Sequence, residues 1–150
     1  MKMKSFFAFL CVVLLSFGIT TIALDDVVDE VEYEIIREES VIHAHQFWGE
    51  HPMGVANITH LNFSGYVEVY FDLKAYFNDA EGDAKLIIHA DNSTVFNESF
   101  HNQTLKKTVS FNSNQGITIE SYAQGYFNES VMPVGDFYTI YFTVWESHEV

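Results

Sequence analysis

The chain has 150 residues and is strongly acidic, with 21 Asp and Glu against 7 Lys and Arg and a formal net charge of −14. Such a surface repels the phosphates of nucleic acids and anionic lipid headgroups, so we expect no nucleic-acid partner. Apolar residues make up 48% of the chain, and 14 Phe and 8 Tyr supply large side chains for a hydrophobic core.

Cysteine chemistry is excluded for nearly the whole chain, because the single cysteine, Cys11, lies in the apolar N-terminal segment. Without it, no disulfide, cysteine nucleophile or cysteine metal site is available. The sequence also lacks the short motifs of serine hydrolases, zinc peptidases, phosphate-binding loops and dinucleotide-binding folds. We therefore expect a protein without catalytic activity.

The N-terminus has the pattern of an export signal. Lys2 and Lys4 precede the apolar stretch Phe6–Ile22, and small residues suit cleavage after Ala23. This pattern predicts a signal peptide over residues 1–23 and a secreted or extracellular protein. The alternative is an uncleaved anchor, since the apolar stretch counted from Phe6 to Leu24 has about 19 residues, near the minimum for a bilayer span. A membrane is a predicted partner only in that case.

An acidic segment follows at residues 24–40, where eight of the 21 acids lie between Asp25 and Glu39. Its apolar residues fit both a helical stripe and strand alternation. Three alternatives stay open. The segment is a flexible linker, a first edge strand, or a propeptide or donor arm that pairs with a neighbouring subunit.

Residues 41–150 show the pattern of a β-domain. The clearest strand is Tyr66–Phe77, where the odd positions are apolar. Residues 49–64 have the composition of a loop, and an earlier short strand spans Val41–Trp48. Later strands recur about every ten residues, separated by turn-forming residues. These strands are Ala84–Ala90, Thr94–Phe100, Leu105–Phe111, Ile117–Ala123 and Phe137–Trp145. The pattern predicts an all-β antiparallel sandwich of about seven strands, immunoglobulin-like or jelly-roll-like.

One short phrase supports this fold class. Residues 132–140, Met-Pro-Val-Gly-Asp-Phe-Tyr-Thr-Ile, resemble a phrase in immunoglobulin-like extracellular modules, where a Pro-x-Gly turn leads into the last aromatic-rich strand. The resemblance implies a fold and no activity.

Six Asn-x-Ser/Thr triplets, none with a central Pro, predict N-glycosylation of an exported chain. We expect Asn97 on a strand, facing away from the core if Phe96 and Phe100 are buried. The others are predicted in loops and turns. The six acceptors are Asn57, Asn62, Asn92, Asn97, Asn102 and Asn128.

A histidine-rich stretch is a candidate metal site. His43, His45, Glu50 and His51 offer imidazole and carboxylate ligands for Zn²⁺, Cu²⁺ or Fe²⁺. Residues 43–50 resemble part of the first cupin motif, which implies a metal-binding barrel. Arg37 and Tyr138 stand where that family has Gly and His. The alternative is a set of surface histidines.

A weak Ca²⁺ site is a second candidate, at the turn containing Asp79, Glu81 and Asp83, because alternate carboxylates suit that ion. The spacing departs from an EF-hand, since position twelve from Asp79 is Ala90. A solvated hairpin is the alternative.

A tyrosine row is the third candidate. Tyr66, Tyr70 and Tyr76 share the face of the long strand opposite its apolar residues. Exposed tyrosines bind sugars or proteins, since the ring packs while the hydroxyl stays hydrated. The alternative is a second core layer or a set of cross-strand pairs. Tyr122, Tyr126 and Tyr138 complete the set of candidate tyrosines.

These observations favour a secreted or cell-surface, N-glycosylated structural or interaction module of the adhesion type, without catalysis. Self-association is included, with residues 25–40 donating a strand to the next copy of a filament. A metal-binding protein that uses His43, His45 and Glu50, and a carbohydrate-binding module that uses the tyrosine row, are the alternatives.

Overall fold

A computed structural model describes residues 31–78, 82–127 and 135–150. These ranges contain eight strands and no helix. The strands are β1 (Tyr33–Gln46), β2 (Met53–Leu61), β3 (Gly65–Tyr76), β4 (Asp83–Ala90), β5 (Ser93–Phe100), β6 (Thr104–Ser113), β7 (Ile117–Gly125) and β8 (Phe137–Glu149).

The strands form two four-stranded antiparallel sheets. Sheet A has the order β1-β8-β3-β6, and sheet B has the order β2-β7-β4-β5. Apolar side chains from both sheets meet in one core cluster, which is the arrangement of a β-sandwich. The predicted all-β antiparallel sandwich is therefore confirmed, with eight strands where about seven were expected.

The additional strand lies in a region predicted as loop. Met53–Leu61 forms β2, which pairs with β7 along its whole length. The prediction of a loop over residues 49–64 was wrong because, at the centre of β2, an apolar residue faces solvent and two polar residues face the core. Ile58 is 51% exposed, whereas Asn57 and Thr59 are only partly exposed and bond to buried groups. Val55 and Leu61 face inward as well, but two polar residues lie between them on the same face, so the strand gives no continuous apolar alternation.

Strand β1 begins at Tyr33 and runs through the boundary predicted at residue 41. It pairs with β8 from Tyr33 opposite Glu149 to Gln46 opposite Phe137, with an irregularity between Ile35 and Arg37. Residues 33–40 thus form part of an edge strand that completes its own sheet. Residues 24–30 of the acidic segment lie outside the described ranges.

The alternation predicted for β3 is confirmed. Phe71 packs edge-on against Phe96 of sheet B, with ring centroids 5.3 Å apart. Each large side chain buried in this way contributes about 1.5–3 kcal/mol relative to an exposed position. The inward residues of β3 and the residue that follows them are Val67, Val69, Phe71, Leu73, Ala75 and Phe77, all 5% exposed or less.

At one end of the sandwich, a carboxylate joins two turns. Asp91 and Asn92 have φ angles of 50° and 68° and form the two-residue β4–β5 turn, as expected for the left-handed positions of a hairpin. The Asp91 carboxylate accepts the N–H groups of Asn114 and Gln115 at 2.8 and 2.7 Å. The hydrogen bond from the Asn114 backbone is the main cause that lowers the pKa of Asp91.

At the other end of the sandwich, Asp136 is fully buried and connects three chain segments by hydrogen bonds. Its carboxylate accepts the N–H groups of Asn78 at 2.8 Å and Tyr126 at 3.0 Å, and its carbonyl accepts the N–H of Phe47. A Cβ at the neighbouring Gly135 would overlap the Phe47 carbonyl oxygen. Only glycine fits this close backbone approach.

Candidate functional site

The outer face of sheet A carries an aromatic row. Alternation along β3 directs Tyr66, Tyr70 and Tyr76 away from the core, and all three are half-buried. Strand β8 lies beside β3 and adds Tyr141 and Trp145, which stand opposite Asp72 and Glu68 of β3. Tyr141 is 40% exposed. The predicted common face of the three β3 tyrosines is thus extended by a second strand, which the sequence pattern alone did not indicate.

The two ends of the aromatic row are stacked pairs. Tyr33 of β1 stacks on Tyr66 with ring centroids 4.4 Å apart, and Tyr76 stacks on Phe137 of β8 at 5.9 Å. The interplanar angle is 25° in both pairs. Tyr76 and Phe137 stack between the neighbouring strands β3 and β8, whereas Tyr33 of β1 reaches Tyr66 of β3 across β8. Both contacts fix the rings and stabilise the sheet.

Polar groups surround the centre of the row. Trp145 lies in register between Glu38 of β1 and Glu68 of β3. The Tyr141 hydroxyl donates to Ser40 Oγ at 3.0 Å. A hydrogen bond from Ser40 to the ionised Tyr141 oxygen is the main cause that lowers the pKa of Tyr141.

An ion pair lies on the same face. Lys106 Nζ lies 3.1 Å from Asp72 Oδ2, and this hydrogen-bonded carboxylate raises the pKa of Lys106. The outer face of sheet A thus combines aromatic rings with hydroxyl and carboxylate groups.

Among the described residues, no predicted glycosylation acceptor lies on a strand of sheet A, although Asn62 and Asn102 lie in connections that join sheet B to sheet A. Asn97 on β5 is exposed while Phe96 and Phe100 are buried, which is the arrangement that the alternation predicted. Asn57 is the exception among the described acceptors because it is half-buried on β2. The exposed acceptors are Asn62, Asn92, Asn97 and Asn102, and Asn128 lies outside the described residues.

The metal site expected at His43, His45, Glu50 and His51 does not assemble. His43 is 3% exposed inside the sandwich, His45 contacts the Phe47 ring edge-on, and Glu50 and His51 are exposed. In the described ranges, no three His, Cys, Asp or Glu side chains converge as metal ligands do. For the Ca²⁺ site, Asp79 and Glu81 fall outside those ranges, and Asp83 is an exposed residue at the start of β4.

Instead, His43 belongs to a polar network in the core. Its Nδ1 lies 2.9 Å from Ser121 Oγ and its Nε2 lies 2.8 Å from Thr59 Oγ1. Ser121 Oγ lies 3.3 Å from the Tyr138 hydroxyl, to which Asn57 Nδ2 donates at 2.6 Å. The network joins β1 and β8 of sheet A to β2 and β7 of sheet B.

Burial lowers the pKa of His43, because a charged imidazolium loses hydration inside the sandwich. The neutral ring has one donor and one acceptor nitrogen, which match the two neighbouring hydroxyls. Tyr138 is 0% exposed and therefore does not contribute to a surface row, contrary to its inclusion among the candidate tyrosines. The available sequence signal was Ser121, a polar residue at an inward position of β7.

Sheet B has a groove of about 540 Å³ at the end marked by the Asp91 turn. His60 and His89 line it, with His89 Nε2 lying 3.7 Å from Glu120 Oε1. Two predicted glycosylation acceptors, Asn62 and Asn92, also line the groove. Glycans attached there would cover this end of sheet B.

Comparisons with known proteins give a fold likeness and no family. No family model matches the chain, and no curated protein does so. An appendage protein of Bacillus endospores, which forms disulfide-linked pili, has a TM-score of 0.42 and 8% identity over 77% of this chain and 90% of its own. A carbohydrate-binding module solved with β-1,4-galactotriose has a TM-score of 0.43 and 11% identity over 76% of this chain and 87% of its own.

Among the described residues, no helix is long and apolar enough to cross a bilayer. The predicted signal segment, residues 1–23, lies outside those residues.

Proposed function

We propose that this chain is an exported, non-catalytic β-sandwich module that binds a partner at the cell surface through the outer face of sheet A. The observation that carries the proposal is the aromatic row centred on Trp145, on a face whose strands contain none of the described acceptor asparagines. Glycans added at Asn62, Asn92 or Asn97 would shield sheet B and the turns. The face of sheet A would remain open to a protein or glycan partner.

The physical basis is the exposure of rigid rings. Aromatic side chains bury much area at small entropic cost, and they dominate binding energy where a partner excludes water. Tyr141 has 40% of its surface exposed, and Tyr33 at the end of the row has 47%. Both retain area that a partner can cover.

Carbohydrate binding is the second candidate and uses the same face. Its support is the combination of aromatic rings with Glu38, Glu68 and Ser40. The C–H face of a sugar ring packs on an aromatic ring, and its hydroxyls donate to carboxylate and hydroxyl oxygens.

A matched pair of tyrosines tests the proposed surface. Tyr141 is 40% exposed on sheet A and Tyr122 is 38% exposed on sheet B. A multimerised form of the module is applied to intact cells and to a glycan array. Tyr141→Ala should weaken binding about tenfold or more, as for a central interface residue, and Tyr122→Ala should leave it unchanged. Equal effects of the two substitutions would refute the assignment to sheet A.

Export is tested separately by intact mass. Secretion from a glycosylating host should yield a chain that starts after Ala23 and carries N-glycans removable by a glycosidase. A full-length, unmodified chain that stays in the cytosol would refute export and leave the surface test unaffected.

A further inference from the structure

Asn57 differs from the other described glycosylation acceptors because its amide nitrogen takes part in the core network. Asn57 Nδ2 donates to the Tyr138 hydroxyl at 2.6 Å, and Tyr138 is 0% exposed. Nδ2 is also the atom that a glycan would occupy. Asn62, by contrast, is exposed in the connection between β2 and β3.

The third residue of the same triplet is also engaged. Thr59 Oγ1 lies 2.8 Å from Nε2 of the buried His43. The two side chains that define the Asn57-Ile58-Thr59 triplet therefore both point into the sandwich, while Ile58 between them is 51% exposed. The strand alternation of β2 places the Asn and Thr side chains of the triplet on the inward side.

From this geometry we propose that Asn57 is a folding-gated N-glycosylation site, which accepts a glycan in the unfolded chain and is closed to it in the folded sandwich. The proposal rests on the export proposed above. If the proposal holds, only the acceptor asparagines outside the core network can be glycosylated once the chain has folded.

The transfer reaction requires access to Asn57 Nδ2, and the folded structure restricts that access. A polyprenyl pyrophosphate-linked oligosaccharide donates the sugar. The bond between Asn57 Nδ2 and the sugar C1 forms, and the C1–O bond to the pyrophosphate breaks. The pyrophosphate leaves with the bonding electrons, and Nδ2 releases one proton. In the folded chain, Nδ2 faces the buried Tyr138 hydroxyl, so the donor has no approach until the network opens.

A glycan attached to Asn57 before folding would in turn interfere with folding. A glycan on Nδ2 requires space that the sandwich core does not have beside Tyr138, since core packing leaves few voids. A chain glycosylated at Asn57 therefore folds without the Asn57–Tyr138 hydrogen bond or fails to fold. Glycan addition and folding compete for the same nitrogen.

The test uses the purified, unglycosylated full chain with an oligosaccharyltransferase and a lipid-linked oligosaccharide, and site occupancy is read by fragment-ion mass spectrometry. The chain is tested in native buffer and as a tryptic digest. Arg37 and Lys74 bound one tryptic peptide that contains both Asn57 and Asn62, which gives an internal control.

We expect the ratio of modified Asn57 to modified Asn62 to rise about tenfold or more from the native chain to the digest, because native modification requires local opening. The same ratio in both samples, or equal protection of both acceptors in the native chain, would overturn the proposal. The experiment requires neither export nor a binding partner, so a negative result can be distinguished from a failure of the proposed function.

A second comparison tests the role of the hydrogen bond. Tyr138→Phe removes the acceptor of Asn57 Nδ2 and should raise native modification of Asn57 severalfold. Tyr141→Phe, on the exposed side of the same strand, should leave it unchanged. An equal change in both variants would argue against the gate. If Tyr138→Phe does not fold, the wild-type comparison of native chain and digest still decides the proposal.

Discussion

Acid should destabilise this protein through one buried histidine. His43 is 3% exposed, and its two ring nitrogens lie 2.9 and 2.8 Å from the hydroxyl oxygens of Ser121 and Thr59. Burial lowers its pKa from the ordinary value of 6.5. The folded state therefore binds the proton more weakly than the unfolded state, and protonation favours unfolding.

Proton linkage determines the sign and size of this change in the free energy of unfolding. The stabilisation is fully present above the unfolded-state pKa of about 6.5 and is lost as the pH falls towards the lower folded-state value. The slope is at most about 1.4 kcal/mol per pH unit, so the loss between pH 6.5 and pH 5 is at most about 2 kcal/mol. The pKa of the Asp91 carboxyl is lowered from its ordinary value of 3.8, so protonation of Asp91 reduces stability only below that pH.

The assay is urea unfolding followed by tryptophan fluorescence at several pH values between about 5 and 7.5, on wild type and on His43→Gln. The variant should lose about 1–3 kcal/mol at neutral pH, because the two hydroxyls lose a matched partner. It should also have a flatter pH dependence than wild type. His51→Gln, at an exposed position outside the network, is the control. Parallel wild-type and His43→Gln curves would refute the argument.

Three further substitutions test the turns and the core. Asp91→Asn should lower the melting temperature and the hydrogen-exchange protection of the Asn114 amide, because the charged acceptor is lost; unchanged exchange would contradict the assignment. Gly135→Ala should cost about 3 kcal/mol or more in chemical denaturation, because its Cβ overlaps a backbone carbonyl. Gly54→Ala, whose Cβ would lie 4.0 Å from the Ala123 carbonyl oxygen, should be nearly neutral, and equal costs would refute the clash. Phe71→Ala should cost about 3–5 kcal/mol in the same assay, and a cost below about 1 kcal/mol would contradict its central packing.

The fold separates two kinds of surface residue. The described acceptor asparagines lie on strands of sheet B or in the connections that follow them, whereas the outer face of sheet A presents aromatic rings. Strand order produces this division, because β1, β8 and β3 are neighbours in sheet A although they are distant in sequence. Tyr33 thereby reaches Tyr66, and Trp145 lies between Glu38 and Glu68.

Local periodicity was sufficient to identify most strands and the class of the fold. The apolar positions of β3 predicted its inward face, and the turn-forming residues between Ala84–Ala90 and Thr94–Phe100 predicted the turn at which β4 ends. The reason is that burying one face of a strand imposes a period of two on its own residues. The common outward face of Tyr66 and Tyr70 followed from the same rule.

Tertiary contacts decided what local pattern could not. Asn57 and Thr59 look like loop residues until the opposite sheet supplies the hydroxyl of Tyr138 and the ring of His43. The same contacts turned His43 from a candidate metal ligand into a core residue. A polar side chain is stable inside only if a distant segment provides its hydrogen-bond partner, and that pairing is set by strand order across two sheets.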